Sequence, residues 1–504
     1  MDVLDLMEFS DQERSVDDVV ADVVGAREAL GSRGRAHDGL IAWTVEAVGR
    51  YLGARRQYAV GDDAWVTAPV GYPWVVRTSL RDVDHRGVDY YEQTCWGRRY
   101  ASADGQLREI WLLSFGEVKR DRGAAEVALA AYAVAHGEPC HPAYGRRHEP
   151  LRGLPPGAYE LPHRVRVVEY GCGSGGFEWV ELSREQALAG FRETSAPVLA
   201  TALSGVGRTP GRDCVGCGVI AECDAVPRAR LQPGIAPSKW MRRSVSASDL
   251  RAHVDCPASY HLTRQLKLRQ PGAVEDPAVV RGRVVDDWLN RRHAARPARR
   301  CQMDEVPGSL EEWRDGRFTI DGEEAGVAAR MLRQHTLFCP IGKPGTGDRV
   351  WVQRTLSLHD PELDLVFVAT PDLVYERSGA PVWRETKTTR SHLWTGQPLL
   401  SQYPQVALAV LMVAGGVLGD TTKMPRIELE LLNDGDCGLE EVDPGRPEVV
   451  EEAREVIRPL LDHWLADADF PARPGRACDH CAALAWCAPG SSHVKRAEVE
   501  ATGV

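Results

Sequence analysis

Two short segments of this chain, "ATPDLVYE" and "WRETKTT", hold the residues best suited to chemistry: Asp372, Glu385 and Lys387. Side chains alternate across a strand, so Glu385 and Lys387 share a face, and a neighbouring strand can bring Asp372 beside them. Two carboxylates converging with a lysine suit a hard cation. Mg²⁺ or Mn²⁺ held there would polarise a phosphodiester and lower the pKa of a bound water, while Lys387 orients that water or offsets charge at the phosphate. A Glu-x-Lys alone is common on solvent-facing strands, where it is a surface salt bridge and little more. Here the apolar "PVW" precedes it, and Asp372 stands at the spacing of a hairpin.

A second chemistry is written in cysteine. Cys214, Cys217 and Cys223 are spaced C-x2-C-x5-C, and Cys478, Cys481 and Cys487 repeat that spacing. The chain opens on an acidic segment with no leader-like apolar run, so a cytosolic location is expected. Thirteen cysteines in such a reducing setting read as metal ligands or buried thiols rather than disulfides. Four thiolates suit either an iron-sulfur cluster or tetrahedral zinc. The histidines, His253 and His261 among them, lack ligand spacing such as H-E-x-x-H and read as packed or surface residues.

The elements that must position these groups form two similar series. With 504 residues the chain exceeds what one core usually organises. In the second half a helix capped by Ser248 leads to a helix in "DPAVVRGRVVDDWLNRRHA". Three β-rich segments follow, "RVWVQRTLSLHD", "LDLVFVATPDLVYER" and "PVWRETKTTR". Then come an apolar helix in "PQVALAVLMVAGG", the half-buried strand "RIELELLN", a helix that Pro459 should kink, and the cysteine triplet. The first half ends in the same order, with "LREIWLLSFG", "AAEVALAAYAVAHG", "HRVRVVEY", the hairpin turn "GCGSGG", "FEWVELS" and a triplet. The pattern predicts a mixed α/β chain with an internal duplication: a module over 1–225, a linker over 226–246, a second module over 247–490 and a flexible tail over 491–504. The formal charge of −11 argues against an indiscriminate nucleic-acid coat. One basic cluster, with Arg281, Arg283, Arg291 and Arg292, reads either as a phosphate contact or as a solvated helix face.

The segments "DCPASYHL", "RGRVVDDWL", "PDLV", "ETK" and "PQVALAV", closed by C-x2-C-x5-C, resemble the RecB-type PD-(D/E)xK nucleases. The likeness is to their iron-sulfur branch, which includes the AddB nuclease domain and CRISPR-associated RecB-like exonucleases. It implies a restriction-endonuclease-like core and a 4Fe-4S cluster, with zinc as the alternative, on Cys256, Cys478, Cys481 and Cys487. It also implies a metal ligand at Asp286, where the family usually has histidine, and a supporting glutamine at Gln405, with Ala409 where the family has tyrosine. Gln402 is the other candidate for the glutamine. The implied activity is a metal-dependent deoxyribonuclease, an exonuclease on single-stranded or unwound DNA in repair, recombination or anti-phage defence. No helicase P-loop is present, so unwinding would fall to a partner.

Aligned on Trp111 and Trp383, the first half places Leu113 and Phe115 where Glu385 and Lys387 stand, and "TCWG" meets "TPDL". The first copy therefore reads as catalytically dead, despite an off-register Glu117-Val118-Lys119. Cys95, Cys140 or Cys172 is its candidate fourth ligand. Trp96, Arg98, Arg99 and Tyr100 could meet nucleic acid or pack within the fold. If both copies were inactive, the chain would be a DNA-binding or scaffold subunit of a helicase-nuclease or defence complex.

Overall fold

The computed structural model describes residues 1–10, 12–29, 36–59, 66–81, 88–143, 145–205, 207–236, 242–272, 275–308, 313–315, 318–343, 345–390, 396, 398–419 and 423–502. They fall into two compact units. The first comprises Met1–Gly207, His261–Ala273 and Pro474–Val504, and the second Arg208–Tyr260 and Val274–Arg473. The cysteine triplets are thus exchanged relative to the chain order: Cys214, Cys217 and Cys223 fold within the second unit, and Cys478, Cys481 and Cys487 within the first. Apolar residues beside each triplet account for this. Ile220 and Val226 pack on Val366 and Val368 in the second unit, whereas Ala483 and Trp486 join Trp43, Leu262 and Leu268 in the first. The expected linker also belongs to the second unit, with 237–241 lying outside the described residues. The expected tail is helical over Ala488–Thr502.

In the first unit the elements that matter are α1 (Asp38–Tyr58), β1 (Thr67–Pro69), β2 (Arg98–Ser102), β3 (Leu107–Ser114), α2 (Ala124–His136), β4 (Arg164–Gly171) and β5 (Phe177–Ser183). Their sheet runs in that strand order, antiparallel throughout except for β3 and β4, which are parallel. A parallel pair needs a crossover, and alanine-rich α2 supplies it. Ala130, Ala131 and Val134 of α2 bury against Ile110, Leu112, Val165 and Val167. The "GCGSGG" segment turns between β4 and β5, with Gly175 at φ +72°.

The second unit repeats this sheet with α3 (Ala247–Asp255), α4 (Pro277–Ala294), α5 (Gly322–Phe338), β6 (Thr346–Val352), β7 (Leu373–Arg377), β8 (Ala380–Thr388), α6 (Pro404–Ala414), β9 (Arg426–Leu432), β10 (Cys437–Val442) and α7 (Pro447–Ala466). The order is β6-β7-β8-β9-β10, again with one parallel pair, β8 and β9, joined through α6. Ser246, not Ser248, caps α3: its hydroxyl accepts from Asp249 N while the Asp249 carboxylate accepts from Ser246 N. Two of the expected long strands each break in two, because Gln353 adopts φ +49° and Pro371 has no N–H for a ladder. The pieces Leu356–Asp360 and Leu365–Ala369 form a separate small sheet with Arg243–Val245. Pro459 lies inside α7, which runs as one helix.

Both faces of the second sheet are covered. Trp383, Ile427, Leu429 and Leu431 pack with residues of α6 and α7, and Val382, Tyr375 and Leu432 with residues of α4 and α5. Strand β9 is therefore not half-exposed as its alternation suggests. Glu428 and Glu430 are fully buried, and their charges are met from inside: Arg384 reaches Glu428 at 2.6 Å, and His335 reaches Glu430 at 2.9 Å.

Candidate active site

Alternation along β8 places Trp383, Glu385 and Lys387 on one face. The register Leu373↔Arg384 and Val374↔Trp383 sets Asp372, at the entrance to β7, beside Glu385. Asp372 is fixed by the Thr386 N–H, which donates to Oδ2 at 2.6 Å, and by the Gln353 amide, which donates to Oδ1 at 3.0 Å. The same amide reaches Asp286 Oδ1 at 3.3 Å, so one side chain spans two carboxylates. Glu385 accepts from Trp383 Nε1 at 2.9 Å, and Lys387 Nζ lies 3.6 Å from its other oxygen. Asp286 comes from α4, one turn after Gly282. A Cβ at Gly282 would meet Thr388 Oγ1 at 3.1 Å, so glycine lets the helix approach the end of β8.

The electrostatics follow from crowding. Burial, then the Asp372 charge, push the Glu385 carboxyl up to about 7. Burial and the same neighbour push Asp286 up to about 7, and burial also raises Asp372. Burial disfavours the Lys387 ammonium, but Glu385, Asp372 and Asp286 outweigh it and raise its pKa. Ionised together in this buried place, the three carboxylates would carry more negative charge than one lysine offsets, and a divalent cation would relieve it. The donor set of Asp286, Asp372 and Glu385 fits such an ion. A cleft of about 450 Å³ is lined by Gly282, Asp286, Asp372, Thr386 and Lys387. A second, of about 400 Å³, is lined by Lys387, Ser248, Arg251, Tyr403 and Gln405. Lys387 therefore borders both, and Gln405, half-buried at the start of α6, borders the second. Ala409 is fully buried.

The basic cluster divides. Arg281 is 3 % exposed with its guanidinium on Glu324, so it offers no surface to a phosphate. Arg283 engages Glu275, and Arg292 lies 3.0 Å from Glu305, while Arg291 is exposed. In the first unit Arg98 and Tyr100 are likewise buried: Arg98 pairs with Asp5 and Glu8, and the Tyr100 hydroxyl lies 2.6 Å from that of Tyr51. Trp96 is 70 % exposed. Glu117 and Lys119 are exposed beyond the end of β3.

Among the cysteines, Cys256 follows α3 and its sulfur accepts from Arg473 N at 3.5 Å, within the second unit. In the first unit, the sulfurs of Cys478 and Cys487 both come within 3.5 Å of where a Cβ on Gly490 would stand. Cys95, Cys140 and Cys172 belong to the first unit, whereas Cys214, Cys217 and Cys223 belong to the second.

The sequence reading missed one group. His293, Cys301, His335 and Cys339 are all buried, and their ligand atoms lie within 4.8 Å of one another. Their spacing, H-x7-C and H-x3-C with 33 residues between, matches no familiar motif. The available signal was His335 and Cys339, four apart at a helix end and so on one face.

Comparison with known proteins is consistent with this picture over the second half of the chain. No curated protein matches. A solved structure described as "Crystal structure of SSO0001" is 11% identical, covering 49% of this chain and 86% of that one, with a TM-score of 0.27, too low to carry an argument. Residues 244–488, which contain every candidate catalytic residue above, match the model of the PD-(D/E)XK nuclease superfamily.

Proposed function

We propose that the second unit is a metal-dependent deoxyribonuclease, acting as an exonuclease on single-stranded or unwound DNA. The observation that carries this reading is the convergence of Asp372, Glu385 and Lys387, with Asp286 tied to Asp372 through Gln353, beside a cleft that Asp286, Asp372 and Lys387 line. Asp286, Asp372 and Glu385 would hold Mg²⁺ or Mn²⁺, which when bound supplies a polarised phosphodiester and a water of lowered pKa. The protein's own groups do the rest. Lys387 places an ammonium where negative charge grows on the phosphate, and its three acidic neighbours keep it protonated. Gln353 and the Thr386 N–H hold the Asp372 oxygens in one orientation. Gln405, which lines the second cleft with Lys387, would touch the strand that enters.

The cysteine triplets, with Cys256, retain the role of iron-sulfur or zinc ligands in this proposal. A helicase or defence-complex partner is the natural source of unwound substrate. The test is degradation of end-labelled single-stranded DNA by anaerobically purified protein with Mg²⁺ or Mn²⁺, beside Lys387→Ala. Cleavage that needs the metal and disappears in the variant supports the reading. Equal cleavage by both proteins overturns this placement of the centre, and none by a wild-type protein with its metal bound overturns the reading in favour of a scaffold.

A further inference from the structure

We propose that His293, Cys301, His335 and Cys339 hold a structural zinc ion that braces the second unit behind the candidate active site. The four ligands come from the end of α4, the loop after it, the last turn of α5 and the residue that follows. Their exposures are 4 %, 2 %, 0 % and 0 %. The ligand spacings can be compared with a tetrahedral ion. Zinc bonds of about 2.0–2.1 Å to nitrogen and about 2.3 Å to sulfur, at tetrahedral angles, separate two nitrogens by about 3.3 Å and a nitrogen from a sulfur by about 3.6 Å. His293 Nε2 lies 3.3 Å from His335 Nε2, 3.5 Å from Cys301 Sγ and 3.7 Å from Cys339 Sγ.

The surroundings suit a metal ligand as well. Both Glu430 oxygens lie on His335 Nδ1, at 2.9 and 3.0 Å. An ionised carboxylate only accepts, so it draws the imidazole proton to Nδ1 and turns the Nε2 lone pair toward the other three ligands. A carboxylate behind a ligating histidine is the usual outer arrangement of such sites. Two nitrogens and two sulfurs, with no open position, favour closed tetrahedral zinc over an oxygen-seeking cation such as Mg²⁺.

The bracing role rests on the nuclease reading, whereas the metal assignment does not. His293 stands two turns beyond Asp286 on α4. Glu430 also accepts from Thr386 Oγ1 at 3.2 Å, and Thr386 lies between Glu385 and Lys387 and holds Asp372 through its N–H. The ion would therefore fix two of the elements that aim the carboxylates.

The experiment is elemental analysis and zinc-edge X-ray absorption on the full chain purified from zinc-supplemented culture. With the triplets disabled by Cys217→Ser and Cys481→Ser in the background protein, about one zinc per chain is expected, with two nitrogens at about 2.0–2.1 Å and two sulfurs at about 2.3 Å. That zinc should fall at least tenfold when Cys301→Ser or Cys339→Ser is added to this background. Absence of zinc, a sulfur-only shell, or zinc retained in Cys339→Ser overturns the proposal. Glu430→Gln keeps all four ligands, so it serves if the cysteine variants do not fold. Chelator competition should show its zinc affinity lowered about 10- to 100-fold, and an unchanged affinity overturns the arrangement. Loss of DNA cleavage plays no part in these readouts, so failure of the nuclease reading leaves them standing.

Discussion

In the second unit Trp383 stands across from Val374 on one side and Ile427 on the other. In the first, Trp111 stands across from Arg98 and Val168. Counting outward from these matched tryptophans, Glu385 corresponds to Leu113, Lys387 to Phe115 and Asp372 to Trp96. The first unit's three residues line an apolar cavity of about 340 Å³ with Trp43 and Tyr51. One sheet plan thus carries a crowded ionic site in one unit and a hydrocarbon pocket in the other. The tryptophans record the change. Trp383 Nε1 donates to Glu385, while Trp111 Nε1, equally buried, has no acceptor among the described residues. The backbone plan sets where a site can form, and three side chains set whether it is one.

The largest effect should come from testing that asymmetry directly. Lys387→Ala or Glu385→Gln is expected to lower metal-dependent DNA cleavage by about 10²- to 10³-fold or more, on the scale of losing one preorganised charge-stabilising group. Phe115→Ala and Leu113→Ala should leave the rate within about twofold. A comparable loss from the first-unit variants in a single-turnover assay would show that the apolar pocket takes part in the reaction.

Proton competition should sharpen the contrast. In the metal-free protein Glu385 and Asp286 hold protons up to about pH 7. Unfolded carboxyls lose them near pH 4. Their folded-state pKa values are raised, so these groups stabilise the metal-free fold less as pH climbs from about 4 through about 7. If Asp286, Asp372 and Glu385 hold Mn²⁺, the ion must displace those protons. Its affinity, measured by calorimetry, should rise about tenfold per pH unit for each proton displaced below pH 7 and level off above it. The thermal stabilisation by Mn²⁺ should likewise be greater at pH 8 than at pH 6. In Glu385→Gln the rise should be shallower, and an unaltered slope would remove Glu385 from the metal site.

The matched tryptophans allow a smaller, thermodynamic test. Trp383→Phe and Trp111→Phe remove similar volume from fully buried positions, but the first also takes a donor from a buried carboxylate. Trp383→Phe should therefore cost about 1–3 kcal/mol more than Trp111→Phe in chemical denaturation. Equal costs would mean that Glu385 finds another donor.

Much of this plan was legible in the residues. Asp372, Glu385 and Lys387 could be placed together because strand alternation and hairpin spacing are local rules. The repeated series of strands and helices was visible for the same reason. What was hidden depends on contacts distant in sequence. Nothing near Cys214 or Cys478 shows that each triplet packs in the other unit, since the apolar partners of Ile220 and Trp486 are far along the chain. The pattern of β9 suggested a solvent face because glutamate usually seeks water. Glu428 and Glu430 are buried because Arg384 and His335 meet them there. His293, Cys301, His335 and Cys339 were invisible as a set because α5 brings the last two back to the first two.

The basic cluster gives the smallest predicted effect. Arg281 and Arg291 lie on the same helix, yet one is buried against Glu324 and the other is exposed. If α4 flanks bound DNA, Arg291→Ala should weaken binding only a few-fold, uniformly across sequences, and make the slope of log K against log salt shallower by about one for the phosphate that Arg291 neutralises. Arg281→Ala should act differently. It removes one of two guanidiniums from Glu324, which is partly exposed and keeps Arg390 at 2.7 Å, so its cost belongs to stability and should be about 1 kcal/mol, and the salt slope should stay as in the wild type. A reduced slope in Arg281→Ala, with the fold intact by circular dichroism, would mean that its guanidinium reaches the phosphates after all, and that burial in the DNA-free protein is undone when DNA binds.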